Sequence, residues 1–417
     1  MSTARFPPSP TRPITNEGPF RALLLENIHP SAEEMLAAEG FQVERTSSAL
    51  KPEELAERLK GVHLLGIRSK TTVPGAALVH AEELLAIGAF CIGTNQVELA
   101  AANTHGIPVF NAPFSNTRSV AEMVLAEVIV LTRQLFDRSR EVHAGQWRKV
   151  ATGSREVRGK TLGIIGYGHI GSQLGVLSEA LGMRVQYYDV MTKLPLGNSQ
   201  SVATLDELLA TSDFVTLHVP ATPSTQMMIG ADQLAKMKKG ACLINASRGT
   251  VVDIGALARA LQSKHLGGAA VDVYPEEPES NSDGFVTELQ GLSNVVLTPH
   301  IGGSTEEAQA SIGKEVATSL LKYFKAGATT GAVNFPQIEA PLIPGTHRIL
   351  NVHRNIPGVL RDINRIVSDL NANIHAQVLS TDANIGYLVM DLDQDVSRPV
   401  CDAIAGLQTD IKTRIVS

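Results

Sequence analysis

The 417-residue chain is long enough for two or three domains, each with its own hydrophobic core. Its 36 Lys and Arg and 42 Asp and Glu residues give a net charge of −6, and no long basic block suggests nucleic-acid or membrane-surface partners. The three cysteines are far apart, with no Cys-x-x-Cys pair and no His cluster at metal spacing. The sequence therefore predicts buried thiols, a reducing compartment and no metal site.

Residues 1–19 are rich in proline and polar residues and lack the apolar segment of a secretory signal, which predicts a flexible N-terminal tail. No apolar run reaches membrane-spanning length. The most apolar candidate helix, 120–131, contains Glu122 and Glu127, which suits a helix buried in protein better than one facing lipid. The protein is therefore predicted to be cytoplasmic, without a membrane partner.

Between residues 20 and 114, short apolar strands alternate with helical segments, which is typical of a parallel α/β layer of the flavodoxin type. The predicted strands lie at 21–26, 41–45, 62–69, 90–92 and 108–110, and the predicted helices at 31–38, 52–60 and 81–87. A long helix over 119–135 follows the segment NAPFSNTRS and is predicted to connect this lobe to a second one.

In the second lobe, a glycine-rich turn follows the first predicted strand. Gly166, Gly168 and Gly171 have the G-x-G-x-x-G spacing. The first glycine allows a tight turn, the second lets a pyrophosphate approach the backbone, and the third lets the helix pack on the strand. Such triplets also occur by chance, but six strands are predicted here, at 162–165, 185–190, 214–218, 241–245, 268–273 and 295–298. Together they predict a Rossmann-type sheet with phosphates held at the helix N-terminus.

The acidic residue Asp189 closes the second of these strands, 18 residues after Gly171. A carboxylate at this place can bond a ribose 2′-hydroxyl and would repel a 2′-phosphate. The sequence therefore favours NAD over NADP, although Lys193 lies nearby. The alternative for Asp189 is an ordinary turn residue at a strand end.

The last part of the chain has a different pattern. A long amphipathic segment, 305–324, is followed by a proline-rich segment that resembles a linker. Strand, helix, strand, strand, helix and strand then follow, which predicts a ferredoxin-like βαββαβ domain. The predicted organisation is a tail (1–19), a discontinuous substrate-binding lobe (20–114 and 305–336), an inserted NAD-binding lobe (115–304), a linker (337–345) and a C-terminal domain (346–417).

Three charged residues follow predicted strands of the second lobe, at the sheet edge where doubly wound folds bind ligands. Arg248 offers two parallel donors to a carboxylate, and the alternative for it is a surface ion pair. His300 can serve as a general acid or base, although a lone loop histidine is more often an ordinary surface residue. Glu277, beside Glu276, can raise the pKa of His300 and set its tautomer, although most such acidic pairs are merely solvated.

The order and spacing of these residues resemble the D-2-hydroxyacid dehydrogenase family, in the short bacterial form that oxidises 3-phosphoglycerate and ends in an ACT domain. The resemblance covers nearly the whole chain from about residue 20. The segments that carry it are FCIGTNQV, NAPFSNTRSVAE, GIIGYGHIG, LHVP, LINASRGTVVD, DVYPEEP, LTPHIGGST and NVHRNIPGVL. The last of these separates this form from relatives without the regulatory domain.

The resemblance implies that Arg248, Glu277 and His300 are catalytic, with Glu277 chosen over Glu276 because the family's acid directly precedes the proline. It implies hydride transfer from C2 of 3-phosphoglycerate to NAD, as the first step of L-serine biosynthesis. The cofactor-binding set is Gly166, Gly168, His169, Ile170, Gly171, Asp189, Ala246, Ser247, Arg248, Asp272, His300, Ile301, Gly302 and Gly303. Arg68, Ser69 and Asn116 match substrate-binding positions, whereas Lys70 stands where the family often has an arginine.

The C-terminal domain is implied to bind L-serine as a feedback inhibitor. His353, Asn355 and Asn373 match the residues that hold serine in the family's regulatory dimer, but Ile356 stands where an arginine is common. A purely structural packing role for this domain is the alternative. Pairing of ACT domains, together with Trp147 at a family contact between nucleotide domains, implies a homotetramer.

Two other functions are compatible with the sequence. One is a dehydrogenase for a different 2-hydroxy acid, such as an enzyme that reduces 2-oxoglutarate. The other is a non-enzymatic NAD-sensing protein that uses the same fold to bind proteins, although corepressors of that kind lack a C-terminal ACT domain.

Overall fold

The computed structural model describes residues 19–278 and 284–416, so the predicted tail lies outside the described residues except for its last position. The described chain separates into two compact units. One contains the residues up to Ser115 and those from Gln309 onward, and the other contains Asn116–Ala308. The predicted α/β class is confirmed by both units. None of the described helices is long and apolar enough to cross a membrane.

The first unit begins with a parallel five-stranded sheet. Its elements are β1 (Arg21–Leu24), α1 (Pro30–Ala38), β2 (Gln42–Arg45), α2 (Pro52–Arg58), β3 (Leu64–Ile67), α3 (Gly75–Leu78), β4 (Ala86–Ala89), α4 (Leu99–Thr104) and β5 (Val109–Asn111). The strand order is β2-β1-β3-β4-β5, which is the order of flavodoxin-like sheets. All described pairs in this sheet are parallel, as the alternation of strands and helices predicts.

The helix predicted over 81–87 is wrong, and the strand predicted at 90–92 lies too late in the chain. The strand here is β4, and the short helix α3 lies earlier than predicted. A continuous apolar run suits a buried strand as well as a helix, and periodicity alone does not separate them. Pairing with β3 on one side and β5 on the other decides for the strand. The packing there is tight, since a Cβ on Gly88 would come within 2.6 Å of the Val316 side chain.

The second unit contains the predicted Rossmann sheet. Its elements are α5 (Thr117–Arg133), α6 (Leu135–His143), β6 (Thr161–Ile165), α7 (His169–Ala180), β7 (Arg184–Tyr188), β8 (Gln200–Ser201), α8 (Leu205–Thr211), β9 (Phe214–Leu217), α9 (Ala231–Lys236), β10 (Cys242–Asn245), α10 (Ile254–Gln262), β11 (Gly268–Val271) and β12 (Val295–Leu297). The order of the described strands is β12-β11-β10-β9-β6-β7-β8. The six predicted strands are present, and the two-residue strand β8 is an addition that has no apolar pattern.

The long connecting helix predicted over 119–135 is two helices. Gln134 adopts the left-handed conformation, with φ 52°, and its N–H bonds the carbonyl groups of Leu131 and Val130. This ends α5 and allows α6 to start in a new direction. Neither glycine nor proline marks the break, so the local sequence contains no signal for it.

The rest of the first unit consists of one long helix and a four-stranded antiparallel sheet. The elements are α11 (Glu306–Ala326), β13 (Thr346–Arg354), α12 (Val359–Asp369), β14 (Ile374–Thr381), β15 (Ile385–Asp393), α13 (Gln394–Ala405) and β16 (Asp410–Val416). The order of the described strands, β14-β15-β13-β16, is that of the predicted ferredoxin-like domain.

Two buried arginines attach this antiparallel sheet to the C-terminal end of α11. Arg414 donates to the carbonyl oxygens of Tyr323 and Phe324, at 2.6 and 2.9 Å. Arg348 donates to the carbonyl oxygen of Ala326 and forms a two-point ion pair with Asp391, at 2.7 and 2.8 Å. Positive charge is favourable at a helix C-terminus, and these bonds satisfy carbonyl groups that the helix leaves open.

Candidate active site

The three predicted catalytic residues lie at one edge of the seven-stranded sheet. Arg248 follows β10, Glu277 follows β11, and His300 follows β12. Because neighbouring strands are parallel, their carboxyl ends meet at this edge. The three side chains are close enough that the Arg248 charge acts on the ionisation of both Glu277 and His300.

A direct hydrogen bond joins His300 and Glu277. The distance from His300 Nδ1 to Glu277 Oε2 is 2.8 Å, and the His300 side chain is half exposed. The hydrogen bond to Glu277 raises the pKa of His300, against the opposing effect of burial. Burial acts to raise the pKa of Glu277. The hydrogen bonds that Glu277 accepts from His300 and from the backbone N–H of Tyr274 outweigh burial and lower this pKa. Nδ1 is therefore the donor to Glu277, and Nε2 is left to exchange a proton.

The backbone around His300 is held by the buried carboxylate of Asp272, which is 1% exposed. Its Oδ1 accepts from the Thr298 hydroxyl and the Ile301 N–H, at 2.6 and 2.8 Å, and its Oδ2 accepts from the Gly302 N–H at 2.9 Å. His300 itself has a φ of 53°, a conformation that non-glycine residues rarely adopt. Asp272 thus lies beneath the loop and fixes the direction in which the histidine points.

The turn that presents Arg248 is organised by Asn245, the last residue of β10. The Asn245 amide accepts from the N–H and hydroxyl of Ser247 and donates to the Arg248 carbonyl group at 3.0 Å. Gly249 follows, and any Cβ there would overlap the Tyr274 carbonyl group. This close approach brings the Arg248 turn beside the Glu277 loop. Asn245 was not among the predicted site residues, although its position at a strand end is the signal that identifies the others.

The glycine loop after β6 has the geometry that a dinucleotide phosphate requires. Gly166 has a φ of 91°, and a Cβ on it would overlap the His218 carbonyl oxygen. A Cβ on Gly171 would overlap the Gly166 carbonyl oxygen, so only glycine lets α7 start this close to the turn. A Cβ on Gly168 would meet no atom within 4 Å, which leaves its backbone open to a ligand. Helix α7 begins at His169, directly after Gly168.

Asp189 follows β7 and is held next to this loop. Its Oδ2 accepts from the Tyr167 N–H and its Oδ1 from the Met191 N–H, both at 2.8 Å. Each carboxylate oxygen keeps a further lone pair for a hydroxyl donor. The residues present therefore fit the adenosine ribose and pyrophosphate of NAD.

The predicted substrate residues are divided between the two units. In the second unit Asn116 precedes α5, and its buried Oδ1 has no hydrogen-bond partner among the residues that the structure describes. In the first unit Arg68 and Ser69 follow β3, and the carboxylate of Glu26 holds their loop by accepting from the backbone N–H groups of Arg68, Lys70 and Thr71. Glu26 was not predicted, although an acid directly after an apolar strand is the same signal as that of Asp189.

The predicted effector residues are not all brought together. His353 is the last residue but one of β13 and aligns with Gly386, and Asn355 follows the strand. Asn373 precedes Ile374, which aligns with Leu392 at the other end of the sheet. Within one chain, Asn373 is therefore remote from His353 and Asn355.

Known proteins similar to this chain agree on one family. A model of the NAD-binding domain of D-isomer specific 2-hydroxyacid dehydrogenases matches residues 125–302, and an ACT domain model of the AHAS small subunit-like type matches 349–410. The D-3-phosphoglycerate dehydrogenase of Dictyostelium discoideum is 55% identical over 397 residues, or 95% of this chain and 97% of that protein. The Escherichia coli K12 protein of the same name is 52% identical over 400 residues, with the same coverage. The chain belongs to the D-isomer specific 2-hydroxyacid dehydrogenase family.

Solved structures support the same assignment. D-lactate dehydrogenase from Aquifex aeolicus, complexed with NAD and lactic acid, is 28% identical with a TM-score of 0.65, and the match covers 76% of this chain and 100% of that one. The prediction of an NAD-dependent oxidoreductase is confirmed by these matches. Among the described residues, no group of three His, Cys, Asp or Glu side chains could hold a metal ion.

Proposed function

We propose that this protein oxidises 3-phospho-D-glycerate to 3-phosphohydroxypyruvate with NAD, in the first step of L-serine biosynthesis, and that serine inhibits it. The observation that carries the reaction is the His300–Glu277 hydrogen bond beside Arg248 at the carboxyl edge of the Rossmann sheet. The substrate class rests on 50–55% identity to D-3-phosphoglycerate dehydrogenases over nearly the full length of both chains.

In this mechanism the glycine loop and Asp189 would hold NAD, which would supply the acceptor for the hydride from C2 of the substrate. Neutral His300 removes the hydroxyl proton at Nε2, because its Nδ1 is occupied by the bond to Glu277. The ionised Glu277 stabilises the imidazolium that forms. Arg248 binds the substrate carboxylate through two parallel donors and polarises the carbonyl group as it forms.

The residue assignments, the domain division and the assembly belong to this proposal. NAD is held by the glycine loop, Asp189 and the turns after β10 and β12, and the substrate by Arg68, Ser69 and Asn116. The proposed domains are 20–114 with 305–336, 115–304 and 346–417. We propose a cytoplasmic homotetramer, for which the 85% exposure of the Trp147 side chain is supporting evidence.

Steady-state turnover tests the reaction. With NAD, the purified protein should show a higher kcat/KM for 3-phosphoglycerate than for D-lactate, and its reverse reaction should prefer 3-phosphohydroxypyruvate over 2-oxoglutarate. A preference for 2-oxoglutarate would assign a different substrate to the same chemistry. Binding of NADH without turnover of any 2-hydroxy or 2-oxo acid would instead indicate an NAD-sensing protein.

The pH dependence of oxidation should depend on Glu277. Because Glu277 raises the pKa of His300 and oxidation needs the neutral imidazole, activity should fall as the pH drops through this raised value. Glu277→Gln removes the carboxylate, so the acid limb of the kcat/KM profile should move to lower pH. Glu276→Gln is the matched control and should leave the profile in place. An unmoved profile in Glu277→Gln would contradict the proposed pairing.

Serine at millimolar concentration should inhibit the wild-type protein. Within a single chain, Asn373 lies far from His353 and Asn355. We therefore propose that each effector site takes Asn373 from a second chain. Asn355→Ala and Asn373→Ala should therefore each abolish the inhibition, and a mixed assembly of the two variants should recover part of it. Absence of inhibition in the wild-type protein would reject the regulatory role.

A further inference from the structure

A cluster of four buried polar side chains lies on one face of the antiparallel sheet. Asn351 and His353 are on β13, and Asp410 and Thr413 are on β16, and each is at most 4% exposed. Asn351 Nδ2 donates to Asp410 Oδ1 at 2.7 Å and to Thr413 Oγ1 at 2.8 Å. The Thr413 hydroxyl donates to Asp410 Oδ1, and Asn351 Oδ1 lies 2.7 Å from His353 Nδ1.

The cluster determines which His353 nitrogen carries the proton. In the carboxylate form Asp410 can only accept hydrogen bonds, and its Oδ1 already accepts from the Thr413 hydroxyl. The Asn351 amide must therefore turn its NH₂ toward Asp410, because the opposite orientation would place two acceptor oxygens 2.7 Å apart. The amide oxygen then faces His353, and only a protonated Nδ1 can form that bond.

The other ring nitrogen, Nε2, then carries a lone pair. Burial lowers the pKa of His353 to about 4, so the imidazole is neutral at neutral pH. The ring lies against Gly386, and a Cβ at that position would overlap Nε2. Glycine at this position therefore keeps the space beside the acceptor nitrogen free of a side chain.

We propose that Asn351 and Asp410 are positioning residues for amino-acid binding, because they hold His353 in the tautomer whose Nε2 accepts a hydrogen bond from the effector. The donor on the effector is the ammonium group or the hydroxyl group of serine. This inference rests on the proposed regulatory function of the C-terminal domain. It adds Asn351 and Asp410 to the predicted effector residues.

Serine affinity in the full-length protein tests the inference. Asn351→Leu removes the acceptor of the Nδ1 proton and should weaken serine binding by about tenfold or more, measured by isothermal titration calorimetry. Asn364→Leu is the matched control, because Asn364 is an exposed asparagine of α12 outside the cluster, and it should change affinity by less than about threefold. Both variants should keep the wild-type kcat/KM without serine, which shows that they are folded. Wild-type affinity in Asn351→Leu would overturn the proposal.

Substitutions of His353 itself identify the nitrogen that binds. The side-chain amide of Gln reaches the place of Nε2, whereas that of Asn reaches the place of Nδ1. His353→Gln should therefore keep more of the serine affinity than His353→Asn, and the reverse order would contradict the assignment. Two serine analogues identify the donor, because L-alanine keeps the ammonium group and 3-hydroxypropionate keeps the hydroxyl group. The donor is the group kept by the analogue that binds the wild-type protein and binds Asn351→Leu more weakly.

Nitrogen-15 NMR of histidine-labelled protein separates a failure of this inference from a failure of the regulatory function. The His353 signals, assigned by their loss in His353→Gln, should show the proton on Nδ1 in the wild-type protein and not in Asn351→Leu. A proton on Nε2 in the wild type would overturn the positioning role even if serine inhibits. If serine does not bind at all, the regulatory proposal fails and the acceptor role fails with it, whatever the tautomer.

Discussion

His300→Gln should lower kcat for oxidation of 3-phosphoglycerate by at least about a hundredfold, while the affinity for NAD stays nearly unchanged. Glutamine has no basic nitrogen to take the hydroxyl proton and no acidic group to return it. The hydrogen bond from Nδ1 to Glu277 is lost as well. This bond raises the pKa of His300, and glutamine has no titratable group that could replace it. The measurement is steady-state turnover together with equilibrium NAD binding.

His80→Gln is the matched control for this substitution. His80 is an exposed histidine in the first unit, just after α3, and it is not among the predicted site residues. Its loss should leave both kcat and NAD affinity at the wild-type level. If His300→Gln retained turnover close to that of His80→Gln, His300 could not be the general base, and another group at the sheet edge would have to take the proton.

Arg248→Lys should lower kcat/KM for 3-phosphoglycerate by roughly a hundredfold to a thousandfold. Lysine keeps the positive charge but presents a single ammonium group instead of two parallel N–H donors. The planar contact with a carboxylate and with the forming carbonyl oxygen is therefore lost. Because that contact strengthens as the carbonyl group forms, kcat should fall as well as the affinity for substrate.

An exposed arginine in the same unit provides the comparison. Arg259 lies in the last turn of α10, and Arg259→Lys should leave kcat/KM unchanged. A loss confined to KM in Arg248→Lys, with normal kcat, would show that Arg248 only binds the substrate and does not act on the reacting carbonyl group.

Several features of the site follow from short stretches of sequence. The three glycines of GIIGYGHIG are recognised by their spacing within a few residues, although the contact that requires glycine at 166 comes from the distant His218 carbonyl oxygen. Asp189 and the three candidate catalytic residues all follow apolar strands, and the rule that ligands bind at the carboxyl edge of a parallel sheet brings them to one place. The order of strands and helices likewise predicts both parallel sheets and the βαββαβ domain.

Features that depend on distant contacts were missed or wrongly predicted. The apolar run that contains β4 has no periodicity that separates a strand from a helix, and its partner strands β3 and β5 decide the outcome. The break at Gln134 has no local marker. Glu26 and Asn245 lie at strand ends like the predicted residues, but what they do is defined only by the backbone groups that surround them.

The sequence by itself determined the family, the cofactor and the residues that can carry charge or move a proton, because these depend on residue type and local spacing. The tertiary structure alone decided how those residues are held. Asp272 is buried beneath the His300 loop, the two ends of the C-terminal sheet separate Asn373 from His353, and Asp410 orients Asn351 across two strands. The two hydrogen bonds join residues far apart in the chain, and strand pairing sets the separation of Asn373 from His353, so each of these facts exists only when the fold brings the partner elements together.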